Sequence, residues 1–189
     1  MSTPDTVASP TPGTGDFLTD VTTLRKRARE QMDKGPVTAA YGADVVRVLD
    51  LLQQALATEL ICVLRHKQHH FSARGMNAEP IAAEFLVHSQ EELSHAELIA
   101  ARISQLGGEP DFDPQTLTSR AHSEYTTANT LRQMIEENLV AERIAVASYT
   151  EMIAWLATGD PTTRRMLEGI LAVEEEHAED LVSMLDDVS

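Results

Sequence analysis

Apolar residues recur at steps of three and four along four long stretches, roughly 43–72, 78–106, 130–158 and 161–186. That is the spacing of one face of an α-helix, and no strand-like alternation of useful length interrupts it. The first core stripe reads Val45, Val48, Leu52, Leu56, Glu59, Val63, His66, and the second Ile81, Phe85, His88, Glu92, His95, Ile99, Ile103. The third reads Leu131, Ile135, Leu139, Glu142, Val146, Tyr149, Ile153, and the fourth Leu167, Ile170, Glu174, His177, Leu181, Met184. The boundaries are marked chemically. The second helix starts near Asn77, with Pro80 in its first turn, and Gly107-Gly108 closes it. Thr130-Leu131-Arg132-Gln133 has the form of a capping box, and Asp160-Pro161 that of an N-cap followed by proline. A few residues join helices one and two, and likewise three and four, whereas Gly107 to Asn129 separates the pairs. Short loops make antiparallel neighbours, so the chain predicts an all-α four-helix bundle over 43–186 with one long crossover.

Ahead of the bundle, residues 1–15 are rich in Pro, Gly, Ser and Thr without apolar periodicity and read as a disordered tail. Residues 16–42 form an N-terminal extension. Its 16–34 portion is a short helical candidate carrying Arg25, Lys26, Arg27 and Arg29, ended by Gly35-Pro36.

Composition narrows the function. Fifteen basic against thirty acidic residues give a formal charge of −15, the wrong sign for a whole-surface nucleic-acid binder. Cys62 is the only cysteine, which excludes an internal disulfide, CxxC redox chemistry and a thiolate zinc cage. No apolar run reaches membrane length and the N-terminus lacks the pattern of a secretory leader, so the expectation is a soluble, cytoplasmic protein with no membrane partner.

Each stripe carries acid near its middle. A buried carboxylate without a partner is strongly unfavourable, and four facing one another repel. No lysine or arginine shares those seam turns, so metal is the simplest counter-charge. Glu92 stands 33 positions after Glu59, and Glu174 stands 32 after Glu142. Histidine follows each second glutamate by three: Glu92-Leu93-Ser94-His95 and Glu174-Glu175-Glu176-His177. At that spacing both side chains share one helix face. A lone ExxH is usually a solvated face; two of them, plus two seam glutamates at matching intervals, are hard to reach by accident. Glu59, Glu92, Glu142 and Glu174 with His95 and His177 therefore offer four carboxylates and two imidazoles, whose negative charge balances two divalent cations. Glu91, Glu175 and Glu176 read as surface charges, and His69 and His70 as a solvated helix end. For His66 and His88 the reading is a hydrogen-bonded core histidine, with assistance to metal uptake or proton transfer as the alternative. Met76, Met134, Met152, Met166 and Met184 read as packing residues and Cys62 as a small buried apolar one.

The pattern resembles the bacterioferritin branch of the ferritin family, including its Dps-like mini-ferritin relatives. The resemblance rests on Thr-Glu59-Leu, Glu-Glu92-Leu-Ser-His95, Val-Ala-Glu142-Arg and Glu174-Glu-Glu-His177. It implies a ferritin-like bundle, with Glu92 and Glu174 as bridging carboxylates, Glu59 and Glu142 as terminal ligands, and His95 and His177 binding one metal each. It implies two iron ions per subunit, though the ligand types admit manganese. It implies ferroxidase activity, in which Fe(II) is oxidised by dioxygen or hydrogen peroxide and stored as mineral in a homo-oligomeric shell.

Three departures refine the expectation. The family's haem-ligand methionine directly follows the second glutamate; Leu93 stands there, so haem is not expected. Its aromatic residue seven positions after the first glutamate is His66 here, which weakens a tyrosine-radical step. Twelve residues follow His177, too few for a fifth helix, and with the N-terminal extension this favours a dodecamer over a 24-subunit shell. Two alternatives share the resemblance. A rubrerythrin-like peroxide reductase cycles the same pair without mineral, but the cysteines of a rubredoxin centre are missing. A Dps-like DNA-protecting shell needs DNA contact, which the net charge disfavours and only the basic segment Arg25–Arg29 supplies.

Overall fold

The computed structural model describes residues 19–76 and 78–188. The tail at 1–15 and Asn77 lie outside the described residues. The chain divides into two units, one up to Ala39 and one from Ala40.

In the first unit, α1 spans Val21–Glu30. Asp20 caps it by accepting from the backbone N–H groups of Thr22 and Thr23, and its hydrogen bonds to Thr23 hold its carboxyl below the usual value. The helix buries none of its residues, and Arg25, Lys26, Arg27 and Arg29 are exposed on it. It stops at Glu30, before Gly35-Pro36, because the chain turns at once: Lys34 N–H donates to the Gln31 carbonyl and Val37 N–H to that of Lys34.

The second unit is built from α2 (Val45–Ser72), α3 (Ala78–Gln105), the short α4 (Leu117–Arg120), α5 (Leu131–Leu156) and α6 (Pro161–Asp187). No strand occurs among the described residues, and none of the helices is long and apolar enough to cross a membrane. α2 packs along α3 and α5 along α6, and the two hairpins meet through α2 against α5 and α3 against α6. This is the four-helix bundle with one long crossover that the loop lengths predict.

The caps act largely as read. Thr130 accepts from Gln133 N–H, while the Gln133 amide oxygen reaches back to Asn129 N–H. Gly107 takes the positive φ of 85° that ends α3. Asp160 accepts from Thr163 N–H with Pro161 in the first turn. Asp160 also receives both contacts of the Arg102 Nη2 fork, at 2.9 and 3.0 Å, and the Tyr41 hydroxyl at 2.8 Å. One carboxylate thus ties the end of α3 and the segment before α2 to the start of α6. Gly42 and Gly159 cross closely beside it, with Gly42 N–H donating to the Gly159 carbonyl at 3.1 Å.

The long crossover contains α4. Leu117 packs with Ala57 and Ile61 on the side of α2 facing the crossover. Gln53 bonds the backbone of Glu109 and Asp111, Arg120 donates to the Gln53 carbonyl, and Thr58 accepts from His122 N–H. α2 is therefore covered on more than its core stripe, which corrects the reading of His69 and His70. Arg65 is fully buried; it donates to the Asn138 side chain at 2.9 Å, the Glu124 carbonyl at 2.9 Å and Cys62 Sγ. His69 is fully buried beside Phe85, and His70 Nδ1 bonds the Ala82 carbonyl at 2.6 Å, so neither is a solvated helix end. Their end of the bundle is closed by Ala73, Ala78, Ile81, Phe85, Met134, Ile135 and Leu181. Met134 and Met152 are core and Met184 packs against that cluster, while Met166 is half-buried. Met76 is 94 % exposed in the turn between α2 and α3 and packs nothing.

Candidate metal centre

The four middle turns meet inside the bundle. Leu52 and Leu56 precede Glu59 on α2, Phe85 and Ile99 bracket Glu92 and His95 on α3, and Ile170 and Leu181 bracket Glu174 and His177 on α6; all are buried. The helical repeat places a carboxylate where a leucine would otherwise stand, and the apolar layers on both sides keep water from solvating it.

All six predicted residues, Glu59, Glu92, His95, Glu142, Glu174 and His177, are buried and converge. Their donor atoms fall into two groups, Glu59, Glu92, His95, Glu174 and Glu92, Glu142, Glu174, His177, each within 4.8 Å across. Glu92 and Glu174 belong to both, and each divides its oxygens between them. Glu92 Oε2 and Glu174 Oε1 lie 3.5 and 2.9 Å from His95 Nδ1. Glu92 Oε1 and Glu174 Oε2 each lie 3.7 Å from His177 Nδ1. Glu59 Oε2 completes the first group 3.4 Å from His95 Nδ1.

These atoms fit a pair of cations because the protein otherwise leaves them orphaned. Glu59 Oε2, His95 Nδ1, His177 Nδ1 and both oxygens of Glu92, Glu142 and Glu174 are buried without an aligned hydrogen-bond partner. Such atoms normally find one. Ligand bonds of about 2.0–2.2 Å to a cation at each centre would satisfy them.

The outer atoms are fixed. The Tyr149 hydroxyl donates to Glu59 Oε1. His177 Nε2 pairs with Glu91 Oε2 at 2.8 Å, so its Nδ1 faces Glu92 and Glu174. Glu91 is therefore not the free surface charge that its place beside Glu92 suggests; α3 and α6 run close enough for it to reach the far nitrogen of His177. Glu175 and Glu176 are exposed, as expected. His66 and His88 are buried but not hydrogen-bonded, contrary to the core-histidine reading. His66 Nε2 instead stands 3.3 Å from Glu142 Oε1, and the His88 ring stacks on His177 with centroids 4.1 Å apart. Leu93, at the position read for a haem methionine, is 39 % exposed.

Without cations the site is electrostatically frustrated. Burial, then the charges of Glu174 and Glu92, push Glu59 well above the usual carboxylate range. Burial, then Glu92 and Glu174, do the same to Glu142. Burial would raise Glu92 too, but His177 and His95 beside it hold it well below that range. Burial would lower the imidazoles; the surrounding carboxylates overcome it and raise His95 to about 12 and His177 to about 11. Protons on the two histidines thus offset part of the carboxylate charge. Burial lowers His66, and brings His69 and His88 to about 4.

Comparison with known proteins gives four relevant likenesses. A ferritin-like domain profile matches residues 49–189. The chain is 32 % identical over 143 residues to the DNA protection during starvation protein of Pyrococcus furiosus, covering 72 % of this chain and 75 % of that one. It is 27 % identical over 132 residues to a bacterioferritin of Desulfovibrio desulfuricans, covering 69 % and 70 %. Among solved structures, the bacterioferritin-related protein of Bacteroides fragilis, a dodecameric thioferritin, superposes with a TM-score of 0.75 at 33 % identity, covering 78 % of this chain and 89 % of that one.

Proposed function

The chain belongs to the ferritin family through its ferritin-like domain, and from that premise we propose that it is a ferroxidase that stores iron in a homo-oligomeric shell. The observation that carries the reading is the division of the Glu92 and Glu174 oxygens between His95 and His177. Fe(II) is the substrate, and manganese fits the same donors. Glu92 and Glu174 hold two ions at bridging distance, His95 and His177 give each a nitrogen, and Glu59 and Glu142 close the ends. Glu91 orients His177 and Tyr149 orients Glu59. Carboxylates favour Fe(III) over Fe(II), which drives oxidation. Two Fe(II) held together supply both electrons needed to cleave hydrogen peroxide: with two protons, the O–O bond breaks and two waters form. No hydroxyl radical is released by a one-electron step. Dioxygen can take the same two electrons to give peroxide.

A shell accounts for the exposed apolar side chains Phe71, Leu98, Val140, Trp155 and Val182, which packing between copies would cover. The B. fragilis relative is dodecameric, and that size is the one proposed here. Haem is not part of the proposal, since Leu93 replaces the ligand methionine. DNA binding is favoured by the exposed Arg25, Lys26, Arg27 and Arg29 on α1 and by the likeness to the DNA protection protein of P. furiosus. It predicts a mobility shift that moderate salt or removal of residues 1–34 abolishes.

The test is anaerobic Fe(II) loading, oxidant addition and stopped-flow absorbance, with light-scattering mass on the same sample. The expected result is a fast phase saturating at two Fe(II) per chain, lost in Glu92→Gln with helicity retained. Equal rates in the two proteins overturn the ferroxidase reading. Uptake of hundreds of iron ions per shell supports storage; turnover of peroxide without mineral supports the rubrerythrin-like alternative instead.

A further inference from the structure

An open cleft of about 540 Å³ lies between the start of α3 and the end of α6, lined by Pro80, Ile81, Glu84, Asp180, Ser183, Met184 and Asp187. Three of these are acidic and none is basic. An acidic cleft alone would be a solvated surface. What distinguishes this one is a buried side chain behind two of its acids, Glu84 and Asp180. His88 is 1 % exposed, and neither ring nitrogen has a hydrogen-bond partner. Its Nε2 is aimed outward, 3.6 Å from Glu84 Oε1 and 3.7 Å from Asp180 Oδ2.

We propose that Glu84, His88 and Asp180 form a third divalent-cation site, separate from the buried pair and open to solvent. The three donor atoms lie within 4.8 Å of one another. Bonds of about 2.0–2.2 Å around one ion place neighbouring ligands roughly 3–4 Å apart, which matches the observed edges. One imidazole and two carboxylates select a first-row divalent cation over magnesium or calcium, which prefer oxygen alone. Glu84 and Asp180 remain half-exposed, so water fills the other positions and exchange is easy. A cation there satisfies the orphaned His88 nitrogen, a role nothing else among the described residues performs.

The site touches the pair through one ring. His88 stacks on His177, with planes 20° apart, and meets His66 edge-on at 5.4 Å. If the proposed function holds, this places a cation from solvent one imidazole away from the pair; the existence of the site does not depend on that function.

Isothermal titration of the full chain with Zn(II), a redox-inert probe, tests the assignment. Wild type is expected to bind three equivalents. Glu84→Gln/Asp180→Asn, confined to exposed positions, is expected to bind two. Glu79→Gln/Asp186→Asn removes the same charge near the same end and is expected to keep three. Glu92→Gln/Glu174→Gln is expected to lose the pair and keep the third equivalent. Unchanged binding in the Glu84/Asp180 variant overturns the site, as does equal loss in the Glu79/Asp186 control, which marks a diffuse acidic surface. A wild type that binds only two, both lost in the Glu92/Glu174 variant, overturns the third site and spares the pair. A wild type that binds only one, lost in the Glu84/Asp180 variant, spares the third site and overturns the pair.

Discussion

Cation loading at the pair is expected to expel protons, and the number follows from the side chains. Every ligand atom must be unprotonated to bind. At neutral pH the carboxylates around His95 and His177 keep both protonated, with values of about 12 and about 11. Two protons must therefore leave as two cations enter. Burial and mutual repulsion raise Glu59 and Glu142 as well, and each adds up to one more. The release is thus two to four protons per chain. The sign is fixed: both imidazoles lie above the working pH, so binding strengthens as pH rises. Each proton contributes tenfold per pH unit, so the product of the two affinities rises at least about 100-fold per unit between pH 6 and 8. The assay is calorimetric titration with Zn(II) in buffers of different ionisation enthalpy, where the slope of observed heat against buffer heat counts protons. Glu59→Gln mimics the protonated carboxyl, so it leaves the metal-free fold intact and should release fewer protons than wild type. A release near zero, or affinity that does not change with pH, would mean the imidazoles are neutral in the metal-free protein and the charge argument is wrong.

Other outcomes concern the scaffold. Asp160→Asn leaves the buried Arg102 without its anion and should cost about 3 kcal/mol in chemical denaturation. Burial would raise Asp160, but its bonds to Thr163, Tyr41 and Arg102 hold it below the ordinary 3.8. Its contribution is therefore complete above about pH 4 and fades as pH falls through the lowered value; wild type but not Asp160→Asn should show that component of acid destabilisation. Gly159→Ala puts a Cβ 3.1 Å from the backbone of Gly42 and Ala43, atoms that cannot rotate away, and should cost about 1–3 kcal/mol by the same measurement. Ala157 ends α5 at φ 43°, so Ala157→Gly should raise the melting temperature, by the equivalent of up to about 1 kcal/mol.

Helical periodicity made the bundle and the six converging residues legible for one reason: it reports which stripe of each helix faces the core, and an acid on that stripe is conspicuous. Glu59 and Glu142 stand out because a leucine precedes and a valine follows each at the same spacing. The residues that were misread lie off the stripe or are judged by their immediate neighbours. Glu91 is one position from Glu92 and belongs by periodicity to the surface, yet it reaches His177 because α3 and α6 pack side by side. His69, read as solvated, and Arg65, which periodicity does not single out, are buried because α2 has more than one packing partner. The segment containing α4 and Glu124 covers one side, and α3 and α5 supply Phe85 and Asn138 on others. His88 is the instructive intermediate case. Its stripe position correctly implied burial, but its nitrogens take their meaning from Glu84, one turn back, and from Asp180 on a different helix. Periodicity can therefore find ligands that share a seam. It cannot find a site whose donors are split between a seam and a rim, because the angle at which two helices cross decides whether those donors meet.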